Sequence, residues 1–191
     1  GYILNHHPTW IKFVEMAKTL GKPLVMRMDL NRQSAGTLWQ RHQNLMDRLS
    51  PIVDAGVHYV DIMCRMTGAD PLSVSAVGAR LSEALIEGMN NFGQLQVTFD
   101  DGSVGLYESG WGPMMGDAET SFRDVTGPEG NIRMIRSQEG RESLTYHRSA
   151  LDNENRFVHK DDIIDTGHEP THVALCRKEQ EFLLKAIQED L

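Results

Sequence analysis

Ser50-Pro51-Ile52-Val53-Asp54-Ala55-Gly56-Val57-His58-Tyr59-Val60-Asp61-Ile62-Met63-Cys64-Arg65-Met66-Thr67-Gly68 is the stretch around which the chain is organised. Pro51 suits the first turn of a helix, and Gly68 followed by Pro71 is a stop signal, so the pattern predicts one helix from Pro51 to Gly68. Val53, Val57, Val60 and Cys64 recur at helical spacing and are expected to form its buried stripe. Asp54, His58, Asp61 and Arg65 fall at i, i+4, i+7 and i+11, which stacks them in a narrow arc as a ladder of charge. Ile62, Met63 and Met66 make the remaining surface apolar, so the helix is expected to be covered on most sides.

The ladder reads in two ways. As i,i+4 pairs on a wet face, each pair contributes about 0.2–0.5 kcal/mol. Alternatively, a carboxylate one turn before an imidazole fixes its tautomer and raises its basicity. Asp54 and His58 are then an orienting group and a general base suited to neutral pH. Gly56 between them costs the helix about 1 kcal/mol in propensity, which implies a close approach to the backbone there. Thr37 to Leu49, a polar segment read as a loop or short helix, leads straight into this helix. Its Trp39, Arg41 and His42 are candidate contacts for a hydroxylated or anionic substrate.

Before this centre, Tyr2-Ile3-Leu4 reads as a short strand. Pro8 to Leu20 reads as a helix with Trp10, Phe13, Val14, Ala17 and Leu20 on one stripe. Leu24, Met26, Met28 and Leu30 alternate with Val25, Arg27, Asp29 and Asn31, as in a half-buried strand. After it the pattern is β. Strands are expected at Leu72 to Leu81 and Gly93 to Phe99, then, through the Asp100-Asp101-Gly102 turn, at Val104 to Ser109. Phe122 to Thr126 and Asn131 to Arg136 flank a turn at Gly127-Pro128-Glu129-Gly130, and weaker strands follow at Arg141 to Arg148 and Arg156 to Ile164. Thr171 to Asp190 closes as a helix with Leu175, Phe182, Leu183, Ala186 and Ile187 inward. The fold class is α+β: an open, mainly antiparallel β-sheet with helices on one face. The uncovered face needs a partner, so the chain is expected to form a homo-oligomer through its sheet, by way of Leu95, Val97, Phe99 and Leu106.

Asp54-Ala55-Gly56-Val57-His58-Tyr59-Val60-Asp61, then Gly68, Pro71 and Val74-Ser75-Ala76-Val77, resembles the D-x-G-x-H-x-x-D signature of the glucose–fructose oxidoreductase/inositol dehydrogenase (Gfo/Idh/MocA) family. The resemblance covers most of the chain, but only the C-terminal half of such a protein. One departure is local: Ser50-Pro51-Ile52 stands where many relatives have Gly-Gly-Gly. The resemblance implies that residues 1–191 are a substrate-binding and oligomerisation domain whose Rossmann domain, with its Glu-Lys-Pro motif, is absent. It implies NAD or NADP in the full-length protein, with none bound to this piece, whose own residues for cofactor binding are unknown. The implied chemistry is hydride transfer at a secondary alcohol of a sugar or cyclitol, with His58 taking the hydroxyl proton and Asp54 orienting it. Asp61 and Arg65 then support the helix. Two other classes stay open: a non-catalytic dimerisation module, and an unrelated α+β ligand-binding domain with a structural ladder.

Composition narrows the partners. The 191 residues carry 40% hydrophobic and 24% charged residues, enough for one core. Lys plus Arg 19 against Asp plus Glu 27 gives a net charge of -8, which argues against a nucleic-acid surface. No apolar run approaches the ~20 residues of a membrane span, and no signal-peptide pattern is present. The chain opens without Met, which reads as a cut piece. Cys64 and Cys176 read as reduced core thiols of a cytoplasmic protein. His168-Glu169-Pro170-Thr171-His172 has the letters of a zinc-protease motif, but Pro170 pushes Glu169 from helical geometry and the two imidazoles diverge, so no metal is expected. Gly110-Trp111-Gly112 is followed by Pro113-Met114-Met115 and lacks the helix opening of a phosphate cradle.

Overall fold

The computed structural model describes residues 2–116, 122–136, 142–158, 160–167 and 170–189. A 3-10 turn (Ile3–His6) leads into α1 (Pro8–Ala17), β1 (Val25–Gln33), α2 (Gly36–Met46), α3 (Pro51–Asp54) and α4 (Gly56–Thr67). The β region follows: β2 (Pro71–Ala79), β3 (Phe92–Phe99), β4 (Val104–Gly112), β5 (Arg123–Gly127), β6 (Gly130–Arg136), β7 (Glu142–Arg148), β8 (Ala150–Leu151), β9 (Phe157–Val158) and β10 (Asp161–Asp165). The chain ends in α5 (His172–Glu189). Eight strands form one sheet in the order β10-β7-β6-β5-β1-β4-β3-β2, and β8 and β9 make a separate ribbon. Hairpins supply antiparallel pairs throughout, the β3–β4 turn using Gly102 at φ +81°. The exception is β1 against β4, which run parallel from Val25↔Val104 to Gln33↔Gly112. This is the α+β, mainly antiparallel architecture expected.

Alternation along β1 sets the two faces. Met26 and Met28 are buried toward the helices, while Val25 and Arg27 face the open side. α1 covers the β5–β7 half with Trp10, Phe13, Val14 and Ala17, and Leu20 follows in the same core. α3 and α4 cover β3 and β4. Lys22 closes the far end of α4, its Nζ donating to the carbonyls of Met66 and Thr67 at 3.3 and 2.7 Å. A cation placed there answers the negative end of the helix dipole.

Several elements differ from the expectation. The central helix is two segments joined at Ala55, where His58 N–H donates to the Ala55 carbonyl at 3.1 Å, an i to i−3 bond. Its buried face is Gly56, Tyr59, Ile62, Met63 and Met66, whereas Val53 and Val57 are 56% and 43% exposed. Close packing explains the rotation. Tyr59 stacks on Tyr107 of β4 at 4.6 Å and meets Trp10 edge-on at 5.6 Å. A Cβ on Gly56 would lie 3.2 Å from Tyr107 Cε1, and one on Gly105 would lie 2.5 Å from Met63 Sδ. Two glycines thus let α4 settle onto β4, and the larger rings take the interior that the valines were expected to fill.

Tyr2 to Leu4 is not a strand but enters the 3-10 turn, which docks on α5 through the His6 and Phe182 rings at 5.6 Å. Thr37 to Leu49 is mostly the helix α2. Arg156 to Ile164 splits into β9 and β10. On α5 only Leu175 is buried; Phe182, Leu183 and Ile187 are 58–70% exposed, because the helix rests on the 3-10 turn and not on the sheet. Val97 and Phe99 lie under the helices, so of the four residues expected on the uncovered face only Leu106 is there.

Candidate active site

His58 stands half-buried on the first turn of α4, its ring meeting Tyr2 edge-on at 5.9 Å. Its Nδ1 is buried and makes no hydrogen bond among the described residues. Asp54 ends α3, on the other side of the Ala55 joint, and no hydrogen bond links it to His58. Its charge bears instead on His42 of α2. Asp61 accepts a hydrogen bond from Asn5 Nδ2 at 3.0 Å, tying α4 to the 3-10 turn. Arg65 is exposed. The four ladder residues are therefore not joined as ion pairs, and Asp54 is parted from the other three by the Ala55 joint.

α2 brings two of the three other candidates inward. The His42 imidazole is buried and lies on the Trp111 indole at 4.8 Å with a 31° tilt. Burial and the charge of Arg32 push this imidazole below its usual range, against the pull of Asp54. Trp39 is half-buried against the core. Arg41 is exposed and stands apart. Sequence reading missed Arg32 and Trp111, which are register partners on the parallel β1–β4 pair. Nothing local signals that pairing, since 78 residues of intervening chain must fold first. Asn91, with no exposed surface, fixes the neighbouring loop by donating to the Trp111 carbonyl at 2.9 Å and accepting from Leu81 N–H at 2.7 Å.

A groove of about 520 Å³ lies on the opposite, open face, lined by Arg27, Asp29, Gln94, Leu106, Glu108 and Phe122 among others. The sheet separates it from His58, so it is a surface feature apart from the Asp54–His58 rim. Burial pushes the Asp29 carboxyl up, partly offset by the Phe122 N–H and Arg123.

Among the described residues no group of three or more His, Cys, Asp or Glu is placed to hold a metal. His168 and Glu169 lie outside the described residues, while His172 opens α5 and contacts Cys176 Sγ at 3.5 Å. Cys64 and Cys176 are free and half-buried. Among the described residues, the one helix that follows a parallel strand does not open as a dinucleotide cradle. The β1–α2 turn, Ser34-Ala35-Gly36, follows a parallel strand but offers one glycine, whereas a pyrophosphate cradle needs several for close backbone approach.

The mainly antiparallel sheet layered with helices on one face is the fold of a known oxidoreductase domain. Residues 14–141 match the GFO/IDH/MocA C-terminal domain, and the chain belongs to that family. No curated protein sequence matches it. Among solved structures it is similar to UDP-N-acetylglucosamine 3-dehydrogenase from Acidithiobacillus ferrooxidans, with 17% identity and a TM-score of 0.65 over 100% of this chain and 54% of that one. It is similar to the aldose-aldose oxidoreductase from Caulobacter crescentus complexed with glycerol, with 14% identity and a TM-score of 0.68 over 100% and 53%. An oxidoreductase from Agrobacterium radiobacter in complex with NAD+, L-tartaric acid and magnesium matches with 16% identity and a TM-score of 0.60 over 91% and 47%. The chain spans about half the length of these relatives.

Proposed function

We propose that residues 1–191 are the substrate-binding half of an oxidoreductase that acts at a secondary alcohol of a sugar or cyclitol, with NAD or NADP held by a separate Rossmann domain. The observation that carries this reading is His58: a half-buried imidazole with a free Nδ1, in the register of the D-x-G-x-H-x-x-D signature. The oxygen-rich ligands and substrates of the relatives support it, as does the NAD+ bound by the Agrobacterium radiobacter protein. In this reading the chain holds the alcohol and moves one proton at its oxygen. His58 takes that proton, and Asp54, four residues before it in the signature, is the orienting carboxylate. Asp61, through Asn5, holds the helix in place. Trp39 and His42 line the substrate side, and Arg41, which stands apart, takes no part in it.

In the full-length protein, His58→Ala is expected to lower turnover by roughly 10²–10⁴ while leaving cofactor affinity unchanged. Asp54→Asn is expected to cost less and to shift the pH profile. Near-normal turnover in a folded His58→Ala protein overturns the assignment. The isolated chain is expected to bind neither cofactor measurably by calorimetry, since the described residues hold no Gly-rich dinucleotide cradle.

The open sheet face supports a second part of the proposal, self-association with another copy. Val25, Leu106, Ile135 and Ile163 are 37–74% exposed there, and a sheet with helices on one side leaves the other to be covered. No helix among the described residues is long and apolar enough to cross a membrane. The two free cysteines support a cytoplasmic location.

A further inference from the structure

Three polar atoms where α2 packs on the end of β4 are buried yet make no hydrogen bond among the described residues: Ser34 Oγ, His42 Nδ1 and Trp111 Nε1. Their residues are 1%, 8% and 5% exposed. They gather at one place. Ser34 N–H donates to the Gly112 carbonyl at 3.1 Å, which sets Ser34 beside the end of β4, and the His42 ring lies on the Trp111 indole. Arg32, the register partner of Trp111, is on the same side of the sheet, exposed and with no ion pair among the described residues. α2 itself begins with Ala35 at its cap position, which makes no side-chain capping bond. The first-turn amides and the positive end of the helix dipole are therefore open at this spot. Each buried group left unpaired carries a desolvation cost, so a ligand that pairs with them recovers that cost on binding.

We propose that Arg32, Ser34, His42 and Trp111 form an anion subsite that takes the carboxylate or phosphate of a sugar-acid or sugar-phosphate substrate. The inference rests on the function proposed above and narrows its substrate class. The donor set selects the charge. An indole N–H and a guanidinium only donate, a serine hydroxyl adapts, and an uncapped helix start adds backbone N–H groups. A neutral polyol offers these donors no charge, whereas a carboxylate or phosphate answers the guanidinium with two oxygens at once. His42 adds a neutral N–H in the appropriate tautomer. Arg32 and Asp54 act on His42 with opposite charge, and the anionic end of a substrate is drawn to Arg32.

The test reads the indole directly. The chain contains three tryptophans, and Trp111→Phe assigns the Trp111 Nε1–H resonance in a nitrogen-15-labelled sample. Gluconate and glucose 6-phosphate, titrated separately, are expected to move that resonance saturably, and the tighter of the two identifies the anion. Neutral glucitol is expected to move it far less. Arg32→Gln, at an exposed position compatible with folding, is expected to weaken the anion by about tenfold or more, the loss of roughly one charged contact. Ser34→Ala is expected to weaken it less, and Arg48→Gln to leave it unchanged. The proposal is overturned if neither anion moves the resonance, if glucitol moves it equally, or if Arg32→Gln and Arg48→Gln weaken binding alike. No turnover is required, so a failed His58 assignment leaves this result standing, and the reverse also holds.

Discussion

The two faces of the sheet, built from the same strands, handle charge in opposite ways. Under the helices the surroundings are apolar, and Arg123 is enclosed there with Glu142 at 2.5 Å, its guanidinium over the Trp10 ring at 5.2 Å. On the open face charge is spread in networks. Asp124 accepts from Arg27 and Arg133, at 2.6 and 3.1 Å, and from Asn131 at 3.0 Å. Beside it, Asn31 donates to both Asp29 and Glu108, and Gln94 closes the chain at 2.6 Å from Glu108. The difference teaches where charge is structural. The Arg123 side chain is only 15% exposed and has little solvent to fall back on, while the two arginines on buried Asp124 are 54% and 53% exposed and can give way to water.

The largest effect is therefore expected at the sealed pair. Glu142→Ala leaves a buried guanidinium without its carboxylate and is expected to cost about 3–5 kcal/mol in urea unfolding. Arg27→Ala, on the open face, is expected to cost about 1 kcal/mol or less, since its side chain is 54% exposed. If the two substitutions cost the same, the comparison breaks. Next in size is Gly56→Ala. Tyr107 is 1% exposed and stacked on Tyr59, so it has no room to yield to a Cβ at 3.2 Å. Overpacking of this kind costs about 1–3 kcal/mol, more than the roughly 1 kcal/mol that alanine returns in helix propensity. A stabilised Gly56→Ala protein would show that α4 can shift on β4.

The open face is also where self-association is proposed. Leu106→Lys sets a charge between Gln96 and Arg27, its register neighbours. It is expected to weaken association by about tenfold or more, roughly 1.4 kcal/mol, as read by light scattering over a concentration series. A wild-type chain that stays monomeric at high concentration removes the proposal.

How legible was this in the sequence? The β3–β4 and β5–β6 hairpins were, because Asp100-Asp101-Gly102 and Gly127-Pro128-Glu129-Gly130 are local turn signals between alternating runs. The stripe of α1 was legible for the same reason, five residues at one helical spacing. The burial of α4 was not. Val53, Val57, Val60 and Cys64 have the right period, but Tyr59, Met63 and Met66 have it too, and only the approach of Tyr107 to Gly56 decides between them. α5 misled for a different reason: its amphipathic pattern is genuine, but what would cover Phe182 and Ile187 is not among the described residues. Asp54 and His58 were singled out through the signature, but the Ala55 joint that parts them was not legible. Arg32 and Trp111 were not, because a parallel crossover brings them together.

The smallest effects expected are two opposed slopes in stability against pH, both from the open face. Burial alone would raise the Asp124 carboxyl, but Arg27, Asn131 and Arg133 outweigh it and hold the group below the usual range. A depressed carboxylate contributes stability above its unfolded value of about 3.9, and that contribution is lost as pH falls through the folded value. Asp29 runs the other way, because burial holds its folded value above the unfolded one. Its contribution is complete below about pH 3.9 and is lost as pH rises through the folded value. Asp124→Asn should therefore flatten the acid side of the stability profile, and Asp29→Asn should flatten the decline above it. The measurement is urea unfolding at a series of pH values from 3 to 7, with the two variants beside the wild type. If both variants flatten the same limb, the two carboxylates share one environment, and the division of the open face into a basic and an acidic network is wrong.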